Sequence, residues 1–142
     1  MNKVFYGLIF CLLFSVSAGK AQNETYFAAY PSLSPDGKTV VFSFEGDIWQ
    51  MPSAGGDASR ITAMPGDEIN PKISPDGKWV VAAVEESNDI AFVDTATNRR
   101  AFVVKVRGKN PEHAVFSPSG QHVFVSAEDG DALDIIDVGK RQ

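Results

Sequence analysis

Two histidines, His113 and His122, are the only imidazoles in the chain, and they flank the stretch Ser117-Pro118-Ser119-Gly120. A hairpin at that stretch would carry both toward one metal ion. A closed protein site needs about four ligands, and the sole cysteine, Cys11, lies far away near the N-terminus. Glu128, Asp129, Asp131 and Asp134 offer oxygens to a calcium ion, but not in the D-x-D-x-D-G order of a dedicated loop. Asp129-Gly130 is itself a hairpin-turn pair, so a solvated turn accounts for the cluster. Ser34, Ser74 and Ser117 invite comparison with a nucleophile. Each sits in S-P-x-G rather than in the G-x-S-x-G elbow that activates a serine, and its recurrence suits a turn cap. Asp94 and Asp137 are placed to accept hydrogen bonds from the turn amides that follow them. Arg99, Arg100, Lys105 and Arg107 make a small basic patch, read as a solvated edge with docking as the alternative. No catalytic, cofactor-binding or metal-ligating residue is assigned, and no cofactor is expected.

The elements that carry these residues follow from a repeat. Ser34-Pro35-Asp36-Gly37-Lys38 returns as Ser74-Pro75-Asp76-Gly77-Lys78, 40 residues on, and in loosened form as Ser117-Pro118-Ser119-Gly120-Gln121, a further 43 on. Asp94 and Asp137 are also 43 apart. Proline presets φ at the second position of a type I turn, and aspartate and glycine suit the third and fourth. An apolar residue precedes each corner (Leu33, Ile73, Phe116), and a β-rich run follows it, as in Thr39-Val40-Val41-Phe42-Ser43. The corners therefore close hairpins. In residues 38–44, Val40, Phe42 and Phe44 share one face and Val41 takes the other, which predicts a strand buried on both sides.

Further turns at Glu45-Gly46 and at Pro52 to Gly56 divide the first repeat into four short strands, the last over Ala58 to Thr62. Repeat two reads as strands near 69–73, 78–85, 89–94 and 99–106, and repeat three as 112–116, 121–127 and 132–138. Four antiparallel strands in about 40–45 residues is the pattern of a β-propeller blade. The expected fold is all-β, with about three blades spanning 26–64, 69–107 and 110–142, the last incomplete. A β-sandwich of about eleven strands is the alternative, but it requires no repeat. Trp49, Trp79, Phe42, Phe92, Phe102, Phe116 and Phe124 are expected to fill the space between blades.

Residues 1–21 stand apart. Lys3, the apolar run Val4 to Val16 and the small residues Ser17, Ala18, Gly19 and Ala21 make a signal-peptide pattern, with cleavage before Gln22 or before Gly19. The run is shorter than the ~18–20 apolar residues that span a bilayer. Cleavage at Gln22 removes Lys3, Lys20 and Cys11, so the net charge moves from -5 to -7 and residues 22–142 carry no thiol. That acidic balance argues against a nucleic-acid partner, which needs a basic stripe. The chain is thus expected in the periplasm or outside the cell, without a membrane anchor after cleavage.

The first repeat, Tyr30-Pro31-Ser32-Leu33-Ser34-Pro35-Asp36-Gly37-Lys38 with Asp47-Ile48-Trp49 and Gly55-Gly56, resembles the WD40-like PD40 blade of TolB-type periplasmic proteins and of tricorn-like propellers. Residues 69–83 continue that style, with Asn70-Pro71 before the turn. From about residue 88 the style shifts. Ile90 to Asn98, Gly108 to Pro118 and Leu133 to Asp137 are similar to the YVTN, or YncE-like, propeller repeat. There Pro111 precedes the corner serine by six residues, whereas Pro31 and Pro71 precede theirs by three. The resemblance implies a propeller and no single activity, since its motifs build turns and core strands.

Closed propellers hold about four to eight blades, and this chain encodes about three. A segment of a longer propeller protein is the favoured expectation, with self-association through exposed blade ends as a second route. The expected role is a non-catalytic scaffold for a protein or small ligand. The alternatives are the N-terminal propeller of a tricorn-like peptidase or amidohydrolase and a YncE-like module associated with redox enzymes.

Overall fold

The structure, a computed structural model, describes residues 27–63, 65–129 and 131–142. The signal-peptide assignment at 1–21 and the turn residue Gly130 lie outside them. The chain runs through eleven strands: β1 (Ala29–Leu33), β2 (Thr39–Phe44), β3 (Asp47–Pro52), β4 (Ser59–Arg60), β5 (Glu68–Ile73), β6 (Trp79–Val84), β7 (Asp89–Asp94), β8 (Arg99–Lys105), β9 (Lys109–Phe116), β10 (His122–Asp129) and β11 (Leu133–Asp137). They form three antiparallel sheets in chain order, β1-β2-β3-β4, β5-β6-β7-β8 and β9-β10-β11. These are the three blades, the third without an outer strand. The helical content among the described residues is one 3-10 turn, Glu85–Ser87.

Each corner is built the same way. Gly37 N–H donates to Ser34 O at 2.8 Å, and Gly77 and Gly120 do the same to Ser74 and Ser117 at 2.9 Å. The corner glycine takes φ of +71° to +74°. A side chain is strained there, which explains why glycine ends every corner. The corners also touch one another. A Cβ on Gly77 would lie 4.0 Å from the Pro35 ring, and one on Gly120 would lie 3.6 Å from Pro75.

The innermost strands β1, β5 and β9 lie side by side, and each contains an irregularity of register. Its cause is a repeated pair that the corners do not announce. Tyr30, Asn70 and Asn110 adopt φ of +53° to +55°, and each is followed by a proline. Proline has no N–H to give to a ladder and is tolerated at a bulge. In the third blade the pair falls farther upstream, which is why β9 starts at Lys109 rather than near 112. The fourth strand of blade one is shorter than Ala58 to Thr62: Ser59 and Arg60 pair in register with β3, and beyond them Ile61 and Thr62 converge on Ile48 alone.

The core lies in the two junctions between sheets. Val41, Ile48 and Ile61 of blade one meet Val80, Ala82 and Val93 of blade two. Val81, Ala83, Ile90, Phe92 and Val104 of blade two meet Ala114, Val123, Val125 and Ile136 of blade three. Three of the expected inter-blade aromatics are placed otherwise. Phe42 and Trp49 pair across β2 and β3 on the far face of blade one. Phe124 pairs with Val115 and Ile135 on the far face of blade three. Strand alternation causes this: both faces of a blade carry apolar residues, and in an end blade one face has no neighbour.

Candidate binding cleft

The corner serines are committed to their turns. Ser34 Oγ donates to Asp36 Oδ1 at 2.6 Å and accepts from Thr39 N–H at 2.9 Å. Lys38 N–H donates to the same Asp36 oxygen at 3.1 Å. Ser74, Asp76, Lys78 and Trp79 repeat these bonds at the same lengths. At the third corner Ser117 Oγ lies 3.2 Å from Ser119 Oγ and accepts from His122 N–H. The serine hydroxyl thus caps the hairpin. The bonds from Ser34 and Lys38 hold the Asp36 carboxyl below its ordinary range, and those from Ser74 and Lys78 do so for Asp76.

The other candidates separate as well. His113 pairs with Ser126 on β10, four residues beyond His122. At about 3.3 Å per residue the two rings are anchored roughly 13 Å apart along the strand, so the hairpin does not join them. Asp134 Oδ2 accepts from the N–H groups of Arg107 and Gly108, and Asp129 Oδ2 accepts from Asn110 Nδ2. Among the described residues no three His, Cys, Asp or Glu side chains are arranged to hold a metal ion. Asp94 Oδ1 accepts from Ala96 and Thr97 N–H, and Asp137 Oδ1 from Lys140 N–H. Of the basic patch, Arg99 and Arg100 are exposed on the outer strand of blade two.

What the structure brings together instead is a cleft between the first two corners. About 360 Å³ is enclosed by Ser34, Pro35, Asp36, Thr39, Val41 and Gln50 of blade one and Ile73, Asp76, Gly77, Val80, Thr95 and Asn98 of blade two. Val41, Ile73 and Val80 supply apolar walls, and the amides, hydroxyls and two carboxylates supply polar ones. The volume and the converging polar groups suit a small-molecule site, with a more polar wall than most such sites carry.

The cleft exists because of which residues stand in this junction: Thr39 and Gln50 line it, and Ser59 lines an adjoining groove with Lys38. Strand pairing matches Thr39, Gln50 and Ser59 of blade one with Trp79, Phe92 and Phe102 of blade two. In the second junction those three rings fill the inner part of the space, and a shallower groove of about 590 Å³ remains beside the corner, lined by Asp76, Trp79, Gly120 and Val138. Phe92 and Phe102 stack with centroids 4.4 Å apart, and Trp79 meets Phe102 edge-on at 5.5 Å. Phe116 closes on Phe92 at 6.4 Å, and the Arg141 guanidinium lies 4.7 Å over Phe102. The first junction has three small polar side chains instead, and Asn98 stands where Arg141 stands. Asn98 and Arg141 both donate to the carbonyl of their turn aspartate at 2.8 Å.

A polar lock sits elsewhere in the first junction. Ile48 N–H donates to Thr62 Oγ1 at 2.7 Å, so the Thr62 hydroxyl gives its proton to Glu68 Oε2, at 2.6 Å. Glu68 is 0% exposed, and its Oε1 has no protein partner. Burial pushes its carboxyl up to about 7; Asp47 and Asp67 add to the rise, while the Thr62 bond and the Arg100 charge oppose it. At the junction of the strands β6 and β7, burial raises Glu85 too, with help from Glu112, Glu128, Asp67 and Glu86.

No protein-family model matches the chain, and no curated protein matches it. Among solved structures it is similar to a chain of Kuenenia stuttgartiensis hydrazine synthase, with a TM-score of 0.68 and 20% identity. The match takes in 86% of this chain and 36% of that one, so this chain spans about a third of its neighbour's length. At that identity the likeness is one of fold.

Proposed function

We propose that this chain is an exported, non-catalytic segment of a longer β-propeller protein, and that it acts as a binding scaffold with its ligand seated between blades one and two. The observation that carries the reading is the unequal filling of the inner part of two equivalent junctions: both are open beside their corners, and only the first stays open as far as Val41, Ile73 and Val80. An opening that costs packing at one of two repeats is what a binding site requires and what a purely structural repeat does not. The acidic balance sets nucleic acid aside, and the end faces support a longer propeller. Leu33 is 57% exposed on blade one, where its counterparts Ile73 and Phe116 are half-buried, and Leu133 and Ile135 are 63% and 59% exposed on blade three, where their counterparts Ile90 and Phe92 in blade two are buried. A second reading, in which the segment belongs to an enzyme assembly, draws on the solved neighbour being a chain of a hydrazine synthase.

A melting-temperature screen of small molecules and short peptides tests the scaffold reading. We expect compounds that raise the melting temperature of the natural chain and lose that effect in Gln50→Phe, which restores a ring to the cleft. A panel in which every hit survives Gln50→Phe would remove the cleft as the site. Export is checked separately by mass spectrometry of the N-terminus: a start at Gln22 or Gly19 is expected, and a chain retaining Met1 in the cytosol contradicts it.

A further inference from the structure

We infer that the cleft between blades one and two takes a ligand that joins an aromatic ring to an amine. The inference rests on the cleft being the binding site and adds the chemistry of its occupant. The molecule contains its own template for what completes such a space. In the second junction the residues at the matching positions supply rings, from Trp79, Phe92 and Phe102, and a cation, from Arg141 over the Phe102 face. In the first junction all four are exchanged, for Thr39, Gln50, Ser59 and Asn98. What is missing is therefore a ring together with a positive charge.

The lining fits both halves of that ligand. Val41, Ile73 and Val80 offer the apolar surface against which a ring packs. Asp36 and Asp76 also line the cleft; no lysine, arginine or histidine lines it, and Lys38 lines only the adjoining groove at Ser59. Each aspartate spends Oδ1 on its own corner. Its Oδ2 faces only an exposed lysine, Lys38 at 3.9 Å and Lys78 at 3.6 Å. Exposed pairs of that kind are weak, so an ammonium group exchanges for them at little cost. Gln50 and Asn98 add amide donors and acceptors for ring substituents.

The test compares three probes on the full chain: tryptamine, with ring and amine; 3-methylindole, with the ring alone; and butylamine, with the amine alone. Calorimetry or methyl chemical shifts read the affinity. Tryptamine is expected to bind at least tenfold more tightly than either partial probe. It should lose about tenfold in the double variant Asp36→Asn and Asp76→Asn, in which the asparagine oxygens can still accept the corner bonds. It should not bind Gln50→Phe, whose fold is checked by its melting curve; Thr39→Trp is the second filling variant. Equal binding of tryptamine and 3-methylindole, abolished by Gln50→Phe, would overturn the amine requirement and leave the cleft as a site for neutral rings. Butylamine binding as tightly as tryptamine would overturn the ring requirement. Binding of none of the probes, or binding indifferent to both filling variants, would overturn the inference, and the second of these would remove the cleft itself.

Discussion

The two junctions are built from equivalent strands and corners, yet they are held in different ways. Between blades two and three an aromatic stack fills the inner space. Between blades one and two the matching side chains are small and polar, and a Thr62–Glu68 bond supports the contact away from the cleft. Stability and opening have been divided between neighbours in depth: both junctions are open at the corner, but the inner part of one is packed by rings and the inner part of the other is left open.

The largest expected effect lies in the filled junction. Phe92→Ala should cost about 3–5 kcal/mol, since a fully buried ring touching two others is removed. The matching change in the open junction, Gln50→Ala, should stay within about 0.5 kcal/mol. Thermal or urea unfolding of the two variants measures the contrast, and similar losses would break it.

Next comes the pH response of the lock. Glu68 moves from an ordinary value of 4.5 to about 7 on folding, so the folded chain holds the proton more tightly than the unfolded one. Its contribution is complete below about 4.5, declines as the pH rises, and is lost above about 7. The total is on the order of 3 kcal/mol. Urea midpoints across that range should fall for the natural chain. In Glu68→Gln, which stays neutral and can still accept from Thr62, that part of the slope should vanish; an unchanged slope would place the titration elsewhere.

A smaller effect concerns the bulges. Tyr30 holds φ of +55° where the other blades use asparagine, the residue best suited to that region after glycine. Tyr30→Asn should stabilise the chain by about 1 kcal/mol, read from the melting temperature. A loss of stability would mean that the Tyr30 ring contributes more than its backbone strain costs.

Much of this architecture was legible in the residues. The corners at Ser34, Ser74 and Ser117 fixed the repeat, and alternation in Val40, Val41 and Phe42 fixed the faces of β2. The cleft was harder to see for a local reason. The β2–β3 turn spends two residues, Glu45 and Gly46, while the β6–β7 turn spends four, Glu85 to Asn88. Counting from the corners therefore slips by two, and Gln50 does not line up with Phe92 until strand pairing is known. Thr39 and Trp79, five residues after their serines, were the part of the signal available without it. The bulges escaped for a related reason: Asn110-Pro111 stands farther from its corner than Asn70-Pro71, so it resembled a different repeat style rather than the same bulge in a longer strand. Glu68 could not be recognised at all, because its partner Thr62, itself held by Ile48 N–H, reaches it only through the packing of one blade on the next.

The most direct measurement is methyl-resolved NMR of the chain under dissolved xenon, which enters apolar space that side chains leave empty. Val41, Ile73 and Val80 should shift on titration, while Val81 and Val123 in the second junction should not. Equal shifts at both junctions, or shifts confined to Val81 and Val123, would contradict the division between a packed junction and an open one.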